Sequence, residues 1–269
     1  MPLKLRVYQG AEWGCPTHTP YGYNNRVSEP LIEFRDVTCR IDGRDVLRGF
    51  NLAVSEGETL VLLGRSGSGK TTVLRLINRL LSPSAGQVIV DGRPTTEQDP
   101  VRLRRGIGYV IQETGLFPHF TVARNVGLVP RLEHWPEERI DARVRELLSM
   151  LELAPDQFAA RYPRELSGGQ RQRVGIARAL AADPKLLLFD EPFGALDPVT
   201  RAEAQRQFQA LGRKLRKTAV FVTHDVREAL ALADRIALLK EGALELIATP
   251  DEFRSAQTAE ARAFLGSLN

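Results

Sequence analysis

The octapeptide Gly64-Arg65-Ser66-Gly67-Ser68-Gly69-Lys70-Thr71 constrains this chain more than any other stretch. It follows a continuous apolar run, Thr59–Leu63, and precedes a helical pattern in which Val73, Leu74, Ile77 and Leu81 share one face. Strand, glycine-rich turn of the form G-x-x-x-x-G-K-[ST] and helix, in that order, make a loop that surrounds phosphate oxygens. Glycines let backbone N–H groups turn inward where a side chain would block the approach. The helix opening near Gly69 adds unpaired N–H groups and the positive end of its dipole. Lys70 is expected to reach the β- and γ-phosphates of a nucleotide, and the Thr71 hydroxyl to ligate Mg²⁺. Residues 64–71, with Thr72 beside them, are the expected nucleotide cradle. The bland alternative is a turn that merely links strand to helix, and the register of all three parts speaks against it.

Three further apolar runs, Lys185–Phe189, Ala219–Thr223 and Arg235–Leu239, are continuous rather than alternating. Such runs suit a parallel sheet covered on both faces. Helical patterns between them predict βαβ units. Ser82-Pro83 and Gly86 are expected to end the first helix. Asp197-Pro198 reads as an N-cap followed by proline at the first helical position, opening a helix through Phe208, Leu211 and Leu215. Two stretches depart from this rhythm. Residues 31–58, around the hairpin dipeptide Asp42-Gly43, and Val88-Ile89-Val90 with Asp91-Gly92 predict an antiparallel layer beside the main sheet. Residues 115–182 are helical by pattern, with Ile140, Val144, Leu147, Leu148 and Leu151 on one face and a break at Pro163. The expected fold is α/β: a P-loop core with a mainly parallel sheet, an N-terminal antiparallel β layer and an inserted helical subdomain at about 115–182. Residues 1–30 read as an extension, 31–255 as the domain and 256–269 as a C-terminal tail.

Composition narrows the setting. The chain is 43% hydrophobic and 26% charged, ordinary for a soluble globular protein. No run approaches the roughly 18 apolar residues of a membrane span, and Met1–Pro30 has no apolar core of a secretory signal. Cys15 and Cys39 lack metal-type spacing, which fits a reduced, cytoplasmic compartment. The net charge of +4 reads as a mildly basic, solvated surface, and no nucleic-acid partner is expected.

A second acidic strand, Leu186-Leu187-Leu188-Phe189-Asp190-Glu191, delivers its carboxylates to the carboxyl edge of the sheet, beside the phosphate loop. Asp190 is placed to hold Mg²⁺. Glu191 can orient and deprotonate an attacking water. Leu166-Ser167-Gly168-Gly169-Gln170 is a capping box in which Ser167 caps a helix and Gln170 sits three residues on. Its bare glycines also leave N–H groups open to an anion, which only a second copy facing it would supply.

With these residues in place, positions 31–255 resemble the nucleotide-binding subunits of ABC transporters. Gly64–Thr71 looks like the Walker A loop, Leu186–Glu191 like Walker B and Leu166–Gln170 like the family signature. Gln112, after the strand-like Ile107–Ile111, matches the Q-loop glutamine. Ala195-Leu196-Asp197 resembles the D-loop, and His224 the switch histidine. The resemblance implies ATP with Mg²⁺ held by Thr71, Asp190 and Gln112, and catalysis by Glu191, His224 and Gln112. It also implies nucleotide contacts from Ser167, Gly168, Gly169, Gln170 and Asp197 across a head-to-tail dimer. Where the family stacks an aromatic on adenine, this chain has Ile41, with Phe34 as the other candidate, so a weaker preference for adenine is expected. Ile107–Val122 with Asn125, Val129-Pro130-Arg131-Leu132, Trp135-Pro136 and Arg161-Tyr162-Pro163, strengthened by Glu191–Thr200, resemble the ATPases of importers for glycine betaine, choline or carnitine. Integral-membrane permease subunits, a solute-binding protein acting indirectly and a place on the cytoplasmic face of the plasma membrane follow from that likeness. An importer ATPase for an amino acid or sulfonate is the nearest alternative, and a soluble ATPase acting on nucleic acid the more distant one.

Overall fold

The computed structural model describes residues 29–112, 115–194, 196–197, 200–206, 208 and 217–268. Leu211, Leu215, Cys15 and nearly all of the N-terminal extension lie outside the described residues. In chain order the strands are β1 (Ile32–Ile41), β2 (Arg44–Val54), β3 (Thr59–Leu63), β4 (Ala85–Val90), β5 (Arg93–Pro94), β6 (Ile107–Val110), β7 (Leu186–Asp190), β8 (Thr218–Thr223), β9 (Arg235–Lys240) and β10 (Ala243–Ala248). They form two sheets, β2-β1-β4-β5 and β10-β9-β3-β8-β7-β6. The first is antiparallel throughout. The second is parallel except for β10 against β9. The expected α/β architecture with an antiparallel layer is the one observed.

The continuous apolar runs are explained by what lies on each side of the large sheet. Val61, Leu63, Phe189 and Phe221 face one core, shared with the helical segments. Leu60, Leu62, Leu188, Val220 and Val222 face the other, shared with the antiparallel layer and the first helix. Both faces of these strands are therefore buried, and alternation has no polar side to serve. The turns Asp42-Gly43 and Asp91-Gly92 have positive φ at both central positions, the type I′ geometry whose twist matches its flanking strands. Glu241-Gly242, joining β9 to β10, repeats it.

Helix α1 (Lys70–Ile77) ends one turn before the expected stop at Ser82-Pro83. Arg79 takes φ 53, Arg79 N–H donates to Leu76 O and Leu80 N–H to Arg75 O. These are the two bonds of a Schellman stop, formed here on arginine rather than glycine, so the sequence carries no obvious sign of it. Leu81 still packs on the core. The next helices are α2 (Pro100–Arg105), α3 (Val122–Val126), α4 (Leu128–Leu132), α5 (Glu137–Met150), α6 (Pro155–Phe158) and α7 (Gly168–Leu180). α5 buries Ile140, Val144, Leu147 and Leu148, the face its periodicity marks. A further helix, α8, is described at 200–206 and 208. α9 (Val226–Leu232), α10 (Pro250–Arg254) and α11 (Ala259–Gly266) follow.

The stretch set apart in sequence as a tail carries α11, and Ala256 and Ala261 belong to the main core. α11 is pinned at both ends: Glu260 accepts from Arg65 at 2.5 Å, and the carbonyls of Ser267 and Leu268 accept from the Arg227 guanidinium. Among the described residues no helix is long and apolar enough to cross a membrane.

Candidate active site

The large sheet aligns its carboxyl ends. Leu63 pairs with Thr223, Asp190 with Val222 and Val110 with Phe189. The residues that leave β3, β6, β7 and β8 therefore emerge along one edge: the phosphate loop, Gln112, Asp190-Glu191 and His224.

The loop is assembled by its own lysine. Lys70 is buried, and its ammonium donates to Gly64 O at 2.7 Å and Arg65 O at 2.9 Å. Burial lowers its pKa, while Glu191 and Asp190 pull it back up. Gly67 and Gly69 take φ 80 and 102, values open to glycine and strained for other residues. From outside, Gly242 N–H donates to Ser68 O at 3.2 Å, and Gly242 O accepts from Arg48 N–H at 3.2 Å. The β9–β10 turn thereby ties the loop to the antiparallel layer.

Thr71 stands against Asp190, its Oγ1 donating to Oδ1 at 3.0 Å. Burial raises the Asp190 pKa, and the bonds from Thr71 and from the Tyr109 hydroxyl oppose the rise. Burial, with Asp190 adding to it, pushes the Tyr109 phenol above its ordinary range. A hydroxyl beside a carboxylate is a hard oxygen donor pair, which suits Mg²⁺ held through few protein ligands and substrate phosphates. Among the described residues no cluster of three or more His, Cys, Asp or Glu offers an all-protein metal cage.

Glu191 has φ 45, a conformation that costs an L-residue about 1–2 kcal/mol and persists where surroundings over-determine it. Here Glu191 N–H donates to Val222 O and Glu191 O accepts from Gly194 N–H. Its Oε2 lies 3.1 Å from Nδ1 of His224. A carboxylate there selects the tautomer with the proton on Nδ1 and leaves Nε2 free to face outward.

The structure brings Gly64–Thr71, Asp190, Glu191 and His224 together. Gln112 is exposed, two residues past β6 on the same edge. Ser167–Gln170 lies elsewhere. Ser167 Oγ accepts from Gln170 N–H at 3.2 Å, and Gln170 Oε1 accepts from Ser167 N–H at 2.9 Å, closing the expected capping box. The nearest groups to Gly168 and Gly169 include Leu196 and Thr200, so within one chain this helix start faces the Asp197 segment. Asp197 caps α8, accepting from Thr200 N–H at 3.0 Å. Ile41 is half-buried at the end of β1 and packs on the second core. Phe34, the other candidate for base stacking, is corrected: it is buried edge-to-face against Phe50, centroids 5.4 Å apart, with no face to offer a base. Tyr109, Glu228 and Gly242 were not singled out from sequence. An X-Gly pair between apolar runs at 241–242 is the one signal that could have found any of them.

Residues 47–194 match the sequence family described as ABC transporter. The chain belongs to the ABC transporter family. Among curated ABC proteins it is 54% identical over 210 residues to the glycine betaine/carnitine/choline transport ATP-binding protein OpuCA of Bacillus subtilis, covering 78% of this chain and 55% of that one. It is 51% identical over 218 residues to the osmoprotectant import ATP-binding protein OsmV of Salmonella typhimurium, covering 81% and 56%. The chain thus spans about half the length of these ABC relatives. In structure it is similar to the ATP-binding cassette MJ0796, solved as a dimer in a post-hydrolysis state with ADP and phosphate. There the TM-score is 0.72 at 36% identity, over 81% of this chain and 98% of that one.

Proposed function

We propose that this chain is the ATP-hydrolysing subunit of an ABC importer, peripheral to the cytoplasmic face of the plasma membrane, that powers uptake of a quaternary-amine osmoprotectant such as glycine betaine, choline or carnitine. The observation that carries the hydrolytic reading is the contact between His224 and Glu191, next to a lysine-closed phosphate loop. The cargo rests on the likeness to osmoprotectant ATPases.

On nucleotide binding, Lys70 exchanges the Gly64 and Arg65 carbonyls for phosphate oxygens, and the backbone N–H groups of 64–71 and of Thr72 in the first turn of α1 hold the rest. Glu191 takes a proton from water as that oxygen bonds to the γ-phosphorus. The bond to the bridging oxygen breaks, leaving ADP and phosphate. His224 holds the Glu191 carboxylate through Nδ1–H and keeps it in line with the water. Thr71, Asp190 and Gln112 are the residues that would hold Mg²⁺, which when bound neutralises charge on the β- and γ-oxygens. Two copies close head to tail, so that the Ser167–Gln170 helix start of one reaches the γ-phosphate on the other, with Asp197 at the contact. Loss of that phosphate releases the clamp. Phe117 and His119, exposed on a loop that buried Asn125 fixes through the Phe117, Phe120 and Thr121 backbone, are the surface for a permease subunit, which in turn receives cargo from a solute-binding protein.

The test is uptake of labelled glycine betaine and choline, at high and low salt, in cells lacking this gene and complemented with wild type or Glu191→Gln. Wild type alone should restore uptake, and purified Glu191→Gln should hydrolyse ATP at least about 100-fold more slowly. Unchanged hydrolysis removes Glu191 as the base. Unchanged uptake in the deletion strain removes the cargo and redirects the search to other small solutes.

A further inference from the structure

Among the described residues, Glu228 is a buried ionisable group that the hydrolytic machinery leaves unused. Glu228, four residues past His224 on α9, is 4% exposed. Its Oε2 accepts from Thr223 Oγ1 at 2.5 Å and its Oε1 from Gln205 Nε2 at 2.9 Å. The Thr223 hydroxyl oxygen accepts in turn from Asp225 N–H at 3.0 Å, so the bonds bracket His224 on both sides. Gln205 belongs to α8, the helix that Asp197 caps. One turn earlier on the same helix, Arg201 donates to Leu196 O at 3.1 Å. Glu191, Arg201, Thr223, His224 and Glu228 line one small cavity of about 20 Å³.

A carboxylate in such a place is costly to bury, and packing alone would be met by an apolar residue, often with no loss of stability. What an apolar residue cannot do is accept two hydrogen bonds from two different elements. One of those elements, β8, runs directly into His224. The other begins at the residue expected to meet the second subunit. We propose that Glu228 is a positioning residue for ATP hydrolysis: it clamps the Thr223-His224-Asp225 turn to the helix behind Asp197. His224 Nδ1 is thereby held on Glu191, and contact made at the Asp197 segment is felt at the catalytic pair. This inference rests on the hydrolytic reading above and adds a residue that reading does not use.

Three variants test it in purified protein. Glu228→Leu keeps the volume and removes both acceptors. Folding stability should stay within a few degrees of wild-type Tm, while kcat for ATP falls at least about tenfold and KM changes less than about twofold, as loss of an interaction formed only in the transition state requires. Glu228→Gln keeps the clamp, because its carbonyl accepts from Thr223 and the Gln205 amide turns over to accept from the new amide. Its kcat should remain within about threefold of wild type. Thr223→Val breaks the same chain at its next link, so Thr223→Val with Glu228→Leu should be no slower than the slower single variant. Thr223→Val alone also carries the test if Glu228→Leu does not fold. Wild-type kcat in folded Glu228→Leu, or in Thr223→Val, overturns the proposal. So does a loss in Glu228→Gln as deep as in Glu228→Leu, which would assign the effect to charge. Failure of the hydrolytic reading is distinguishable, since wild type itself would then show no ATPase activity.

Discussion

Replacing Gly242 by alanine probes how the phosphate loop is held, and Gly92 supplies the control. Both glycines close type I′ turns, with φ 79 and 73. Alanine in that region costs about 1–2 kcal/mol, offset by about 0.4–1 kcal/mol from a less flexible unfolded chain. Gly92→Ala should therefore cost about 0–1.6 kcal/mol, since a Cβ there meets nothing within 4 Å. At Gly242 a Cβ would stand 2.2 Å from Val46 O and 2.9 Å from Val46 C. Backbone must move, and overpacking of this kind adds about 1–3 kcal/mol to the cost that both turns share. The movement also strains the bond from Gly242 to Ser68, so nucleotide affinity should fall for Gly242→Ala alone. Urea unfolding at constant m, paired with equilibrium titration of a fluorescent ATP analogue, reads both effects. Equal midpoints for the two variants, or a nucleotide affinity unmoved in Gly242→Ala, would refute the idea that β2 and the loop are braced through this turn.

Other outcomes follow from the same geometry. Ser167→Ala removes the cap of α7 and should cost about 0.5–2 kcal/mol in unfolding free energy; ATPase activity should fall with it if the helix start meets the partner's γ-phosphate, and intact activity would separate the two roles. Burial raises the Glu228 carboxyl above its ordinary value, with Asp225 adding to the rise and Thr223, Gln205 and Arg201 opposing it. A carboxyl raised in the fold contributes stability that is full below its unfolded pKa, about 4.3, and lost as pH climbs through the folded value. Wild type should therefore lose stability from about pH 4 upward relative to Glu228→Gln, and parallel denaturation curves across pH would count against this. With Ile41 in place of an aromatic, affinities for ATP and GTP should be comparable in direct binding, and strong discrimination for ATP would sink that expectation.

The legible parts of this fold share a physical cause. Strands β3, β7, β8 and β9 are buried on both faces, so their sequences are continuous apolar runs that need no context to recognise. The loop at 64–71, the 190–191 carboxylates and the 167–170 cap declare themselves because local chemistry fixes residue type at fixed spacing. The stop of α1 did not, since its left-handed residue is Arg79 and the usual glycine is absent. Phe34 shows the opposite failure: an aromatic in the right stretch of sequence, committed to the core by a register that only pairing with β2 and β4 sets. Glu228, Gln205 and Tyr109 act across elements far apart in the chain, where no spacing rule applies.

The Lys70 bonds to Gly64 and Arg65 and the brace from Gly242 to Ser68 mean that the protein's own groups hold the loop in one shape. Its conformational entropy is surrendered during folding, so nucleotide association has little ordering left to oppose it. Selectivity then lies in exchange: a phosphate oxygen has to outcompete two backbone carbonyls for one ammonium, which a triphosphate does far better than a neutral solute.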